Sequence, residues 1–414
     1  MFSEQLLRMI SGLFVSVWVA RYLGPEQFGT FSYAIAYVSI FSAFAKLGLD
    51  GIVVRDLVNN PQKRDIYLGT AFWLKLMGSL LTLAIVGFAG LFTSSDRVTN
   101  IYIFIITSGL VFQSFEVIDF YFQSKVLSKV VSTCKIIQLI ISSALKIYLV
   151  LTGADLLSFV FITLIDQIIL AITLWFAYRY QNLESFYKSF DWIIAKKLLK
   201  DSWPLIFSGL AIAVYMRIDQ IMIKEMLGVK EVGLFSAAVK LSEVWYFVPV
   251  IITASLLPAI VSAKKINESL YYLRLQRLYT LVTWIAISVA LIMTFFSIDL
   301  VVLLYGSAYK YAGQVLMIQI WAGVFVSLGV ASGSWLTTEN LQHYAFYRTV
   351  LGAVINIILN LILIPNYGLI GAAIATVIAQ SLAAFFFDFL TNKTRVIFSM
   401  KLKTLYFAGL IHKD

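Results

Sequence analysis

Charge, cysteine and histidine are all scarce in this 414-residue chain, and each scarcity removes a class of function. Only 13% of the residues are charged, against roughly 25% in an ordinary soluble domain. So few charges cannot cover a water-facing surface, and with 60% hydrophobic residues and a mean hydropathy of +0.88, lipid must be the solvent for much of the chain. One cysteine, Cys134, and two histidines, His343 and His412, exclude a disulfide framework and a Cys/His metal cluster. No G-x-x-x-x-G-K-[ST] phosphate loop is present, so ATP is not expected to drive the protein directly. The net charge of +10 invites a nucleic-acid reading, but no soluble domain with a basic face accompanies it, and nucleic acid is not an expected partner. No outer loop is long enough to carry catalytic carboxylates, so an enzyme is not expected either.

What the chain has is apolar stretches of membrane length. A spanning helix takes about 20 mostly apolar residues. That ruler predicts spans near 5–23, 29–49, 66–92, 101–122, 130–151 and 156–178, then 202–226, 232–260, 271–297, 312–336, 344–364 and 368–391. The first contains Arg8 and has no small-residue cleavage site before Arg21, so it reads as a retained helix. It begins abruptly, and a few residues upstream of Met1 are expected. With both termini cytoplasmic, twenty of the Lys and Arg residues fall in inner loops and the tail, and only Arg21, Arg97, Lys230 and Lys310 fall outside. A missed span early in the chain would destroy that split. Between the sixth and seventh spans, DWIIAKKLLKDSW at 191–203 places Trp192, Ala195, Leu199 and Trp203 at helical spacing against Lys196, Lys197 and Lys200. It reads as a short surface helix joining two halves.

The halves resemble each other. LGPEQFGTFSYA at 23–34 returns as LGVKEVGLFSAA at 227–238, with Leu, Gly, Gly, Phe, Ser and Ala recurring at one constant offset. Both copies sit in the outer turn between the first two spans of a half, and the glycines read as turn residues with special backbone angles or close helix contacts. The expected architecture is an all-α polytopic membrane protein with twelve transmembrane helices. They form two six-helix lobes related by a pseudo-twofold axis along the membrane normal. The corresponding boundaries are 1–180 for the N-terminal lobe, 181–201 for an interfacial connector, 202–391 for the C-terminal lobe and 392–414 for a cytoplasmic tail.

Charges remain inside the spans. The basic ones are Arg8, Lys46, Lys75, Lys135, Lys146, Arg217, Lys224 and Lys240; the acidic ones are Glu116, Asp119, Asp166, Asp219, Glu225 and Glu243. Each costs about 2.5–3.5 kcal/mol at a helix centre on insertion scales, so each needs a partner or a wet cavity. Lys135, Lys146, Glu116, Asp119 and Asp166 are expected to form structural ion pairs among the fourth to sixth spans. Arg8, Lys46, Lys75, Arg217 and Lys240 are candidates for a cationic cavity suited to an anionic headgroup such as a diphosphate. Ser32, Ser39 and Ser42 share a helix face with Lys46. Pro249 and Pro258 interrupt the eighth span and favour kinks there.

Four segments carry a family resemblance: ARYLGPEQFGTFSYA at 20–34, LGLDGIVVRD at 47–56, RIDQIMIKEMLGVKEVGLFSAAVKLSE at 217–243 and LNLILIPNYGLIGAAIATVIAQ at 359–380. They resemble the polysaccharide flippases (Wzx-type exporters of O-antigen and related repeat units). That family sits in the superfamily that also holds multidrug-and-toxin-extrusion pumps and lipid II flippases. The resemblance covers nearly the whole chain. It implies alternating access in a bacterial plasma membrane. The implied substrate is an undecaprenyl-pyrophosphate-linked oligosaccharide moved from the cytoplasmic to the outer leaflet. Membrane lipid, a polysaccharide polymerase and chain-length proteins are the partners it suggests. An extrusion-type drug/cation antiporter is the alternative, but acids should then outnumber bases in the spans. A lipid II-type flippase is nearer, though that class typically carries two more C-terminal helices.

The resemblance also implies a site for a coupling ion, Na⁺ or H⁺, with no other cofactor. Asp219, Asn356, Asn360, Ala372 through its carbonyl and Thr376 occupy positions similar to the Na⁺ ligands of some lipid II flippases. The family pattern has an acid where this chain has Asn360, so one negative charge is missing. The opposing reading has Asn356 and Asn360 bonding helix to helix while Asp219 pairs with Arg217.

Overall fold

The computed structural model describes residues 2–90, 96–183 and 185–406, without the side chains of residues 2–8 and 10. Every regular element among the described residues is helical. The chain divides into two compact units, Met1–Arg217 and Ile218–Asp414. The first contains α1 (Phe2–Lys46), α2 (Asp50–Asn59), α3 (Arg64–Ala89), α4 (Arg97–Ser108), α5 (Val117–Ser124), α6 (Ser128–Leu151), α7 (Leu156–Tyr180) and most of α8 (Trp192–Met226). The second contains the end of α8, then α9 (Val229–Trp245), α10 (Phe247–Ile266) and α11 (Glu268–Tyr305). It continues with α12 (Lys310–Gln319), α13 (Ala322–Thr338), α14 (Gln342–Ala384) and α15 (Arg395–Thr404).

Among the described residues, each of the twelve apolar stretches read from the sequence lies largely in helix, but the helices divide differently. Nine of those described are long and apolar enough to cross a membrane, and a pair bent by 47° at Ile320–Trp321 makes ten. The difference lies at two glycines. α1 carries a non-helical residue at Gly24 (φ 71°, ψ 171°) followed by Pro25, and α14 carries one at Gly368 (φ 57°, ψ −137°) shortly after Pro365. The helical runs through these breaks are 49 and 48 residues long. At 1.5 Å per residue either would reach about 70 Å if straight, more than twice the roughly 30 Å hydrocarbon core.

The repeated turn has a physical basis. Gly228, the counterpart of Gly24 in the second copy, has φ 115° and ψ 175°. Both glycines therefore occupy a region of positive φ and extended ψ that is nearly closed to any residue with a Cβ. A Cβ on Gly24 would meet nothing within 4 Å, so backbone geometry and not crowding requires glycine there. Pro25 follows it at the first position of a new helical run, where a missing N–H costs nothing.

The first unit has a core of aromatic edges: Phe72 stands edge-on to Phe115 and Phe186, and Tyr178 to Tyr121 and Phe186. Its outer faces stay apolar, with Leu80 and Leu81 on α3, Ile140 and Ile141 on α6 and Phe176 on α7 all exposed. Such a surface is stable only against acyl chains. In the second unit Tyr271, Tyr279, Leu328, Trp335 and Met400 form the core.

Two details differ from expectation. The connector is not a separate short helix: Asp191 accepts hydrogen bonds from the Ile193 and Ile194 N–H groups at the start of α8, which runs unbroken through Pro204. Its inward stripe is Ala195, Leu198 and Ser202, while Trp192 and Trp203 face outward. Lys197 is pinned to Asp56 at 2.9 Å and Arg55 to Asp201 at 3.1 Å. In the eighth span the helix breaks at Tyr246, before Pro249, which then sits in the first turn of α10 where no helical partner for its N–H is lost.

Candidate functional site

Most of the charges inside the spans of the first unit are matched locally. Lys135 meets Asp119 at 2.9 Å and Lys146 meets Asp166 at 3.1 Å, with Gln138 donating to the Asp166 carbonyl. Ion pairing among these residues is what the sequence leads one to expect, without naming the partners. Lys75 joins them: 1% exposed, it contacts Glu116 at 3.0 Å and stands 4.9 Å from the Phe120 ring centroid. Its carboxylate partner terminates a 3₁₀ stretch, Gly109–Glu116, that joins α4 to α5 inside one span. A 3₁₀ run of that length is uncommon, because its hydrogen bonds are poorer than those of an α-helix.

Lys46 behaves differently. It lies at the end of α1, exposed to a cavity of about 360 Å³ inside the first unit. Ser39, Ser42, Asp50 and Arg217 line the same cavity, with Leu205, Ile212 and Met216 of α8 as an apolar wall. The serine hydroxyls donate to the Ala36 and Ser39 carbonyls, which leaves their lone pairs as acceptors. Of the five cationic candidates, Lys46 and Arg217 are therefore brought together and Lys75 is not among the walls. Lys240 is half-buried on α9 of the second unit and has an interaction partner there or elsewhere in the chain. The side chain of Arg8 lies outside the described residues. Asp50 was missed by the sequence reading because it stands one residue beyond the predicted end of the second span. The signal that marks it is its place within LGLDGIVVRD.

The second unit gathers all five candidates for the coupling ion. Asp219 on α8 accepts through Oδ1 from Asn360 Nδ2 and through Oδ2 from Thr376 Oγ1 at 2.9 Å. Asn360 Nδ2 also donates to Asn356 Oδ1 at 3.1 Å, and Thr376 Oγ1 to the Ala372 carbonyl at 3.0 Å. All four side chains are buried. Asp219 forms no ion pair among the described residues, so it is not paired with Arg217. Two polar atoms of the cluster, Asn360 Oδ1 and Asn356 Nδ2, are buried without a hydrogen-bond partner. A buried carboxylate held only by neutral donors is costly while ionised, and the cost falls when a cation or proton joins it.

A further charge pair, fully buried, is not announced by the sequence. Lys401 of α15 is fully buried and donates to Asp388 Oδ2 and the Ala384 carbonyl, each at 2.6 Å, and to Ser332 Oγ at 3.0 Å. Burial outweighs the attraction of Asp388 and lowers its pKa to about 8. The segment expected as a tail is therefore docked: Gln276 and Trp284 of α11 donate to the carbonyls of Met400 and Thr404.

The model of a family described as "Polysaccharide biosynthesis protein" matches residues 1–264. The chain belongs to that polysaccharide biosynthesis family. It is 20% identical over 388 residues to the capsular polysaccharide biosynthesis protein CapF of Staphylococcus aureus, covering 92% of this chain and 95% of that one. It is 36% identical over 84 residues to a probable low-salt glycan biosynthesis flippase, Agl15, of Haloferax volcanii. The latter match spans 20% of this chain and only 18% of the Haloferax volcanii protein. Among solved structures, a multidrug resistance MATE family transporter of the MOP superfamily superposes with a TM-score of 0.77 at 16% identity, covering 96% of each chain. The lipid II flippase MurJ superposes with a TM-score of 0.74 at 15% identity over 99% of this chain and 92% of that one. This family member is thus a multi-pass membrane protein that shares the fold of these two structures.

Proposed function

We propose that the protein is a flippase for undecaprenyl-pyrophosphate-linked oligosaccharide repeat units, moving them from the cytoplasmic to the outer leaflet of a bacterial plasma membrane by alternating access. The observation that carries this reading is the cavity with Lys46 and Arg217 against the apolar wall of α8. A diphosphate needs cations in a low-dielectric setting, and a polyprenyl chain needs the apolar surface beside it. Membership of a polysaccharide biosynthesis family, and relatives named as a probable glycan biosynthesis flippase and a capsular polysaccharide biosynthesis protein, support the same substrate class. Twelve crossings with both termini cytoplasmic fit best, since a bend at Gly24 and another at Gly368 turn two over-long helical runs into four spans. The sequence boundaries 1–180, 181–201, 202–391 and 392–414 are proposed with it, as is work alongside a polymerase and chain-length proteins. The test is deletion of the gene: lipid-linked repeat units should accumulate facing the cytoplasm, and Lys46→Glu should fail to restore surface glycan although it reaches the membrane. Full glycan display by Lys46→Glu would end this reading.

A monovalent coupling ion is the companion proposal. Asp219, Asn356, Asn360, Ala372 and Thr376 offer oxygens to a hard cation, and the orphaned Asn360 Oδ1 adds one with no other use. A single carboxylate suits Na⁺ or a proton better than a divalent ion. Neutralising Asp219 is the chemistry the ion supplies; the residues themselves bind α8 to α14. Sodium should raise the thermal midpoint of the purified protein, and Asp219→Asn should abolish the rise. A midpoint indifferent to sodium but shifted by pH would assign the site to protons.

A further inference from the structure

Lys46 and Asp50 are four residues apart. On a continuous helix they would share a face about 5–6 Å apart and pair. They do not, because α1 ends at Lys46 and α2 begins at Asp50, and between them Leu47 (φ 55°) and Gly48 (φ 60°) are both left-handed. The break is held from two sides. A Cβ on Gly48 would stand 2.7 Å from Leu205 Cβ and 3.2 Å from the Ile206 nitrogen, and one on Gly78 would stand 2.9 Å from the Phe44 carbonyl oxygen. Two consecutive left-handed residues, one of them a leucine, are a strained arrangement that only tight surroundings sustain.

The break leaves two opposite charges unspent. Neither the Lys46 nor the Asp50 side chain makes a hydrogen bond or an ion pair among the described residues, although both residues line the cavity. The other charges that act on Asp50 through space are already matched: Glu116 by Lys75 and Asp119 by Lys135. A cavity built for an anion alone would not place a carboxylate in its wall, since that oxygen repels a phosphate.

We propose that Asp50 determines specificity in this cavity. Its carboxylate accepts hydrogen bonds from the hydroxyl or amide donors of the sugar attached to a lipid diphosphate, while Lys46 takes the phosphate. The Leu47–Gly48 break keeps the two groups apart so that each meets its own part of the headgroup. Ser39 and Ser42, on the Lys46 face of α1, add hydroxyl acceptors beside it. A lipid diphosphate without a sugar brings the phosphate and no donors, so Asp50 acts against it.

This inference rests on the reading of the cavity as a lipid-linked glycan site, and the experiment separates the two. Binding of undecaprenyl diphosphate, bare or bearing a single N-acetylglucosamine, is measured to the full chain in lipid nanodiscs and to Asp50→Ala, Asp50→Asn and Lys46→Ala. A charge-assisted hydrogen bond supports about a ten- to hundredfold loss, so Asp50→Ala should weaken the glycosylated ligand by that factor and tighten the bare one. Asp50→Asn, which keeps the shape and one acceptor, should fall between. Lys46→Ala should weaken both. If Asp50→Ala moves the two ligands equally, or neither, Asp50 does not read the sugar and the inference is overturned while the cavity reading stands. If Lys46→Ala leaves both unchanged, the cavity reading itself fails.

Discussion

In the first unit Lys75, Lys135 and Lys146 each meet a carboxylate, while the cavity pair Lys46 and Asp50 stays apart. In the second unit the main polar cluster is one acid, Asp219, held by two asparagines and a threonine. The contrast shows what each unit is equipped to bind. Matched pairs brace helices and leave nothing over; a broken helix leaves both an ammonium and a carboxylate for a ligand of mixed character. A lone acid among neutral oxygens leaves one negative charge, enough for one small cation. The second unit also has a fully matched pair, Lys401–Asp388, which belongs with the bracing charges.

The sharpest way to break this division is at Lys401. Lys401→Ala leaves Asp388 buried and uncompensated and should cost about 3–5 kcal/mol, read as a loss of thermal midpoint in the purified protein. Lys401→Met together with Asp388→Leu should recover most of it; no recovery would mean that the pair is not merely a brace. Next in size is the effect of pH on the same group. Its folded pKa of about 8 lies below the usual lysine value, so the unfolded chain binds more protons between about pH 8 and 10.5. Stability should therefore rise with pH across that window, by about 3 kcal/mol relative to Lys401→Met, and show no Lys401 contribution to the slope below it. A flat difference between the two proteins would remove the claim that burial outweighs the ion pair.

The smallest effect tests whether the two units share a turn. Gly24→Ala and Gly228→Ala should each cost about 1–3 kcal/mol, because both force a Cβ into a backbone region that excludes it. Gly12→Ala, in an open helical position, should cost nothing or stabilise slightly. Unequal costs at Gly24 and Gly228 would show that the repeated sequence is used differently in the two units.

Much of this was legible in the sequence because lipid imposes simple rules. The apolar stretches, ion pairing among Lys135, Lys146, Asp119 and Asp166, and the gathering of Asp219 with Asn356, Asn360 and Thr376 all follow from the sequence, though the individual ion-pair partners do not. Apolar length and the cost of buried charge act on each segment almost independently of the rest of the chain. Lys75 was misjudged as a cavity candidate because its partner Glu116 is 41 residues away and nothing local announces the contact. Lys401 reads along the chain as one more basic residue of a polar tail. It becomes a core group only because α15 folds back onto α11, a docking that its polar sequence does not advertise.

Local transfer energies, written residue by residue, are enough to settle that the chain lives in lipid, which stretches are apolar enough to span it and which residues carry charge into them. Which charges cancel and which remain for a ligand was settled by packing. That outcome depends on distances between segments remote along the chain, and on two left-handed residues, Leu47 and Gly48, held in place by the packing of Gly78 and Leu205 around them.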